Sequence, residues 1–375
     1  MRFVLTLLLS LFAFSAAAQN VPAPVLAGKA WLLLDHGTGQ VLTAHEPDTR
    51  IEPASLTKLM TAYVTFAALK AGTITLDQQV AVSEKAWRQE GSRMFIEPRR
   101  PVTVEELIRG MIVQSGNDAC VALAELVAGS EEAFAELMNR EARRLGMQDT
   151  HFTNATGLPD EQLYTTVRDL SLLASAIVRD FPEYYPLYAE KEFTYNKITQ
   201  PNRNRLLWMD GTVDGIKTGH TSSAGYCLVA SAQRGPRRLI SVVVGTDSDT
   251  IRAQESLKLL NFGFQFFDTV QLYAAEQALS QFRIWKGQAK EVAVGFTSDF
   301  VMSLPKGQAE KISATLTSQQ PLVAPVQKGQ AVGTMQLALD GRVLGEYPVV
   351  ALQDVPLAGF FGRLWDALLM WIKNL

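Results

Sequence analysis

Cysteine is nearly absent from this chain: Cys120 and Cys227 are the only two among 375 residues. That rules out the disulfide framework on which small secreted folds depend, and a chain 47% hydrophobic can bury a large core without one. Both thiols are expected to be small buried hydrophobes. Histidine is scarce as well. His36, His45, His151 and His220 show no His-Glu-x-x-His or clustered Cys/His spacing, so neither a metal nor a cofactor is expected. No charge sign dominates either, and a formal net charge of −3 offers no general field for nucleic acid, which is not expected as a partner. There is no sustained heptad or long repeat, and no Gly-x-Ser-x-Gly elbow of the kind that marks many Ser-His-Asp hydrolases.

What is there begins with an export signal. Met1-Arg2 precedes an apolar run over 3–14 that is too short for a comfortable membrane span, and Ala16-Ala17-Ala18 supplies the small residues a signal peptidase needs. Residues 1–18 are therefore expected to be removed, which places the folded protein outside the cytoplasm. Two strands, 30–35 and 40–45, then flank His36-Gly37-Thr38-Gly39. Pro53 leads into a helix carrying Ser55 in its first turn. Apolar positions spaced three or four apart predict helices over 104–113, 118–128, 131–145 and 166–179. Strands return at 226–232 and 239–245, and a helix over about 252–267 follows. Strands at both ends with helices between them give an α/β (α+β) layer architecture, one antiparallel sheet packed by helices, over 24–272. A small all-β domain is expected over 280–352. Residues 356–375 are expected to form an amphipathic helix whose stripe of Phe361, Leu364, Trp365, Leu368, Trp371, Ile372 and Leu375 suits a membrane interface. Packing of that stripe on the β domain or on a second copy is the other reading.

Three short strings carry the chemistry: Ser55-Leu56-Thr57-Lys58, Ser115-Gly116-Asn117 and Lys217-Thr218-Gly219. Ser-x-x-Lys alone recurs by chance roughly once or twice in such a length, and Ser303-Leu304-Pro305-Lys306 is such a decoy, its proline opposing the helix that would align Ser and Lys. All three in order are far rarer. Residues three apart on a helix share a face, so Lys58 can bring its amine to the Ser55 hydroxyl. A serine hydroxyl needs a proton acceptor to act as a nucleophile, so the Lys58 pKa is expected to be depressed by burial and by a second cation such as Lys217.

The longer segments Pro53–Met60, Gly110–Cys120 and Val213–Thr221 resemble those of exported serine D-alanyl-D-alanine carboxypeptidases, the low-molecular-mass penicillin-binding proteins, and the resemblance spans nearly the whole chain. A β-rich second domain and a terminal amphipathic helix fit that family's layout. The resemblance implies a penicillin-recognising serine enzyme that removes the last D-alanine from peptidoglycan stem peptides ending in D-Ala-D-Ala, with β-lactams as covalent inhibitors. By the same carry-over, Ser55 is the nucleophile, Lys58 the base for acylation, Ser115 the proton relay and Asn117 a substrate and Lys58 partner. Lys217 and Thr218 meet the terminal carboxylate beside Gly219, and the backbone N–H groups of Ser55 and His220 form the oxyanion hole. Arg252 and Arg203 match site arginines of the family, although the loop after Arg203 is one residue shorter here. The implied location is the periplasmic face of the bacterial inner membrane, held through the C-terminal helix.

The middle string is Ser-Gly-Asn rather than Ser-Asp-Asn, which favours the carboxypeptidase branch, and no Glu-x-x-Leu-Asn segment follows it. That glutamate activates the deacylating water of class A β-lactamases, so its absence implies a long-lived penicilloyl ester. A serine β-lactamase and a non-hydrolysing penicillin sensor or wall-binding module are the rival readings.

Overall fold

The computed structural model describes residues 21–372, so the expected export signal at 1–18 and residues 373–375 lie outside the described residues. The chain forms two compact units, one of Ala23–Leu272 with Val301–Lys306, the other containing Tyr273–Phe300 and Gly307–Leu375.

The first unit opens with β1 (Ala30–Asp35), β2 (Val41–His45) and α1 (Lys58–Lys70). A small β3 (Gln79–Val80), α2 (Glu84–Trp87) and β4 (Val102–Thr103) precede the helices α3 (Val104–Arg109), α4 (Asn117–Ala128), α5 (Glu131–Arg144) and α6 (Val167–Asp180). Their starts are written in the sequence: Thr103 and Glu106 close a reciprocal capping box on α3, and Ser130 and Thr166 accept N–H bonds at the heads of α5 and α6. A hairpin of β5 (Glu192–Tyr195) and β6 (Ile198–Pro201), then α7 (Leu206–Met209), lead to three long strands, β7 (Val213–Thr221), β8 (Gly225–Arg234) and β9 (Arg237–Thr246). The helix α8 (Asp249–Phe266) follows.

The main sheet is antiparallel, in the order β2-β1-β9-β8-β7, so the first and last strands in sequence meet at its centre. Both faces are covered, which is why β1 reads Trp31-Leu32-Leu33-Leu34 without alternation. Leu32, Leu34, Ile240 and Val242 join the helical core, while Leu33 and Leu239 meet α8 at Gly263, where a Cβ would approach their methyls to 2.6 Å. Because β7 is an edge strand, one side of Lys217-Thr218-Gly219 faces away from the sheet.

The chain crosses out of this unit through β10 (Phe267–Tyr273), and β13 (Phe300–Pro305) pairs with it. The sequence reading placed the change of pattern near residue 272 and missed this return. Its cause is polar: the buried carboxylate of Asp35 accepts bonds from Arg237 Nε at 2.8 Å and Ser303 Oγ at 2.7 Å. Ser303 thus belongs to a strand, which accounts for the decoy string.

The second unit carries β11 (Ser280–Arg283), β12 (Glu291–Gly295), β14 (Ile312–Ser318), β15 (Ala331–Leu339), β16 (Arg342–Ala351) and α9 (Phe360–Ile372). Its five-stranded sheet runs β11-β12-β16-β15-β14 over a core of Trp285, Val292, Val294, Met335, Leu337 and Val349. The α9 helix touches this unit by its polar side, Asp366 accepting the Lys286 N–H at 2.6 Å. Its apolar stripe stays open: Phe361 is 83% exposed and Trp371 76%. Among the described residues no helix is long and apolar enough to cross a membrane.

Candidate active site

Ser55 sits in a 3₁₀ turn, Ala54–Thr57, that feeds into α1 at Lys58. The difference from the expected α-helical turn has a geometric consequence: with three residues per turn, positions i and i+3 eclipse, which stacks the Lys58 amine directly against the Ser55 hydroxyl. Nζ lies 3.0 Å from Ser55 Oγ. Lys58 is fully buried and makes two further bonds, to Asn117 Oδ1 at 2.7 Å and to the Thr156 carbonyl at 2.5 Å. Those acceptors use two N–H groups. The remaining tetrahedral direction of Nζ points to Ser55, and in the neutral amine that direction is the lone pair.

Burial pulls the Lys58 pKa down to about 8, with Arg203 adding to the effect while Cys120 and Asp118 oppose it. The Lys217 ammonium, the second cation expected from the sequence, repels that of Lys58 across the buried site. Lys217 is itself pushed well below its usual value, first by burial and then by Lys58.

Ser115 reaches the site because a π-helical turn, Gly110–Gln114, interrupts the helix between α3 and α4. The residue emerges in the left-handed region, φ 67°, an uncommon state for serine that orients its hydroxyl. Lys217 donates to Ser115 Oγ at 2.9 Å and to the Thr218 carbonyl at 2.9 Å. Asn117 opens α4, and its amide nitrogen is committed to the Glu90 carbonyl at 2.6 Å.

Ser55, Ser115, Arg203, Thr218, His220 and Arg252 line one cavity of about 450 Å³ together with Gly219. Lys58, Asn117 and Lys217 lie buried behind that lining, so all ten residues singled out in the sequence converge. Arg252, on the first turn of α8, is buried and donates to the Gly219 carbonyl at 3.2 Å. Burial lowers the Arg252 and Arg203 pKa values. The His220 ring packs on Tyr226, centroids 4.0 Å apart. Cys120 is a free buried thiol whose pKa burial pushes up to about 12, and Cys227 is likewise free and buried. Among the described residues no group of three metal-ligating side chains comes together.

Sequence reasoning missed three supports. The Thr156 carbonyl is backbone and leaves no motif. Asp118 accepts N–H bonds from Met94, Phe95, Ile96 and Ala119 at 2.8–3.2 Å, fixing the loop that walls the cavity; its place beside Ser115-Gly116-Asn117 was the one available signal. Gly157 lies against the nucleophile turn, where a Cβ would come within 1.8 Å of the Ala54 carbonyl oxygen.

A cavity-lining serine paired with a buried lysine at a helix start, facing a lysine on an antiparallel edge strand across a second serine, defines an acyl-transferring serine enzyme. The family profile described as D-alanyl-D-alanine carboxypeptidase matches residues 17–248, and that of the penicillin-binding protein 5 C-terminal domain matches 267–357. The chain is 46% identical to the D-alanyl-D-alanine carboxypeptidase DacC of Escherichia coli (strain K12) over 363 residues, covering 95% of this chain and 91% of that one. It is 42% identical to DacA of Haemophilus influenzae over 377 residues, covering 98% and 96%. The crystal structure of penicillin binding protein 5 from Haemophilus influenzae superposes with a TM-score of 0.85 at 42% identity, covering 89% of this chain and 99% of that one. The chain belongs to the D-alanyl-D-alanine carboxypeptidase family of serine peptidases, the low-molecular-mass penicillin-binding proteins.

Proposed function

We propose that this D-alanyl-D-alanine carboxypeptidase removes the terminal D-alanine from peptidoglycan stem peptides through an acyl ester on Ser55. Neutral Lys58 takes the Ser55 proton as Oγ attacks the carbonyl carbon between the two alanines. The oxyanion so formed meets the backbone N–H groups of Ser55 and His220. As the intermediate collapses, Ser115 passes a proton from the lysine network to the departing nitrogen, and free D-alanine leaves. Water then hydrolyses the ester and returns the proton to the site. Lys217, Thr218 and Arg252 meet the substrate's terminal carboxylate, and Asn117 holds both Lys58 and the substrate amide.

The observation that carries this reading is the third direction of Lys58 Nζ, aimed at Ser55 Oγ once Asn117 and Thr156 have taken the other two. β-Lactams present an equivalent carbonyl and carboxylate and are expected to acylate Ser55. The cavity lining contains no Asp or Glu to activate a deacylating water, which supports a long-lived ester over β-lactam turnover.

Export to the periplasm and attachment to the inner membrane surface belong to the same proposal, supported by the composition of residues 1–18 and by the exposed stripe of α9. The test compares the purified protein with Ser55→Ala for D-alanine release from a D-Ala-D-Ala peptide and for covalent labelling by a fluorescent penicillin. Both signals should vanish in the variant. Unchanged release would overturn the assignment.

A further inference from the structure

The cavity holds more positive charge than one carboxylate needs. Arg93, Arg203 and Arg252 all line it, and no acidic side chain is among the lining residues. Lys217 and Arg252 flank Gly219 on the edge strand and suffice for a peptide's terminal carboxylate. Arg93 stands apart, on the loop between α2 and β4.

That loop is fixed on both sides of Arg93. The Ser92 carbonyl accepts the Asn117 N–H at 2.7 Å, the Arg93 carbonyl accepts from Gln200 Nε2 at 3.3 Å, and the Met94 N–H donates to Asp118 at 3.0 Å. The side chain lies with its guanidinium 5.3 Å from the Phe95 ring centroid. That contact restricts rotamers without using the N–H donors. Among the described residues Arg93 makes no ion pair and no side-chain hydrogen bond. A rigidly mounted, half-buried arginine with free donors is prepared for a planar anion.

The geometry points to Arg93 as a specificity determinant: it receives a second carboxylate of the substrate, borne by the residue that precedes the D-Ala-D-Ala pair. This rests on the carboxypeptidase reading of the same site. Once the two alanines occupy the Ser55 end, the next residue of the acyl part meets the wall formed by Gly91, Arg93 and Phe95. The preferred substrate class is accordingly an anionic stem peptide whose diamino or acidic residue keeps a free carboxylate, in contrast to an amidated or neutral one.

Two peptides ending in D-Ala-D-Ala, identical but for a free or amidated carboxylate at that residue, test the assignment. The wild-type kcat/KM should favour the free carboxylate by about tenfold, the size of one partly desolvated charge-assisted contact. Arg93→Gln should bring the ratio to within about twofold of one through the KM of the carboxylate peptide, and Arg93→Lys should restore part of it. An equal fall of kcat for both peptides would show that Arg93 only shapes the loop, and an unchanged ratio would remove it from recognition; either result overturns the assignment. Calorimetric binding of both peptides to Ser55→Ala and to Ser55→Ala/Arg93→Gln provides a readout independent of turnover. Absence of D-alanine release from both peptides, with the Arg93-dependent binding preference intact, would fault the carboxypeptidase reading alone. Absence of the preference in binding would fault Arg93 alone.

Discussion

Asn117 grips Lys58 by its amide oxygen, 2.7 Å from Nζ, because its amide nitrogen is spent on the Glu90 carbonyl at 2.6 Å. The arrangement works only for an amide. In Asn117→Asp the group facing Glu90 becomes an acceptor facing an acceptor, and the one facing Lys58 becomes a charge that favours the ammonium form. The rate of covalent labelling by penicillin at pH 7 is expected to fall by about a hundredfold, the loss of an adjusted proton acceptor. Stopped-flow acylation measures it, and a variant that labels at the wild-type rate would remove Asn117 from control of Lys58.

Acylation should follow the ionisation of Lys58. Its pKa of about 8 means the amine is mostly protonated at pH 6 and mostly neutral at pH 9.5, so the acylation rate should rise about tenfold per pH unit on the acid side and level off above pH 8. The stability effect has its own sign. Burial lowers the folded pKa below the 10.5 of the free side chain, so between about 8 and 10.5 the unfolded chain binds more protons and the Lys58 contribution to stability grows with pH. A pH–rate profile with no ascending limb near 8 would exclude Lys58 as the base.

Gly157→Ala tests the packing behind the nucleophile. The new Cβ would meet the Ala54 backbone oxygen at 1.8 Å, and the residue has φ of +81°, where alanine is strained. The turn holding Ser55 must shift. Acylation is expected to drop by more than a hundredfold, with a loss of about 1–3 kcal/mol in stability by thermal unfolding. A variant with wild-type acylation would show that the Ser55 turn is not positioned from this side.

Asp118→Asn replaces a buried carboxylate that accepts four backbone N–H bonds by an amide with one acceptor oxygen and two unmatched donors. The loop over 91–96 should loosen. A stability loss of about 2–4 kcal/mol and faster amide exchange at Met94, Phe95 and Ile96 are expected. Unchanged exchange at those three amides would refute the role of Asp118 as the loop's anchor.

Removal of residues 360–375 should abolish sedimentation with anionic liposomes while leaving D-alanine release from a soluble peptide intact. The exposed stripe of Phe361, Leu364, Trp365, Leu368 and Trp371 is the reason. Undiminished sedimentation would refute the membrane role of α9.

The longer helices and the central strands were legible in the sequence, while the hairpin of β5 and β6 was not. The helices over 104–113, 118–128, 131–145 and 166–179 were read from apolar positions three or four apart, a pattern set by neighbours in sequence, whereas the last long helix starts at Asp249, three residues before the expected 252. The turn at Asp340-Gly341 that joins β15 to β16 is likewise a local Asp-Gly signal. The return of Val301–Lys306 to the first unit was not legible, since it depends on Ser303 meeting Asp35, 268 positions away.

At the site, the three strings at Ser55–Lys58, Ser115–Asn117 and Lys217–Gly219 were legible in the sequence alone, because acyl transfer by a Ser–Lys pair restricts residue types and the i, i+3 spacing restricts their placement. Tertiary structure decided what those groups can do. The depressed lysine, the single open direction of its nitrogen, the left-handed Ser115 and the unpaired Arg93 arise from burial and from backbone groups of distant segments. Desolvation and hydrogen-bond geometry are properties of three-dimensional surroundings, and no local string encodes them.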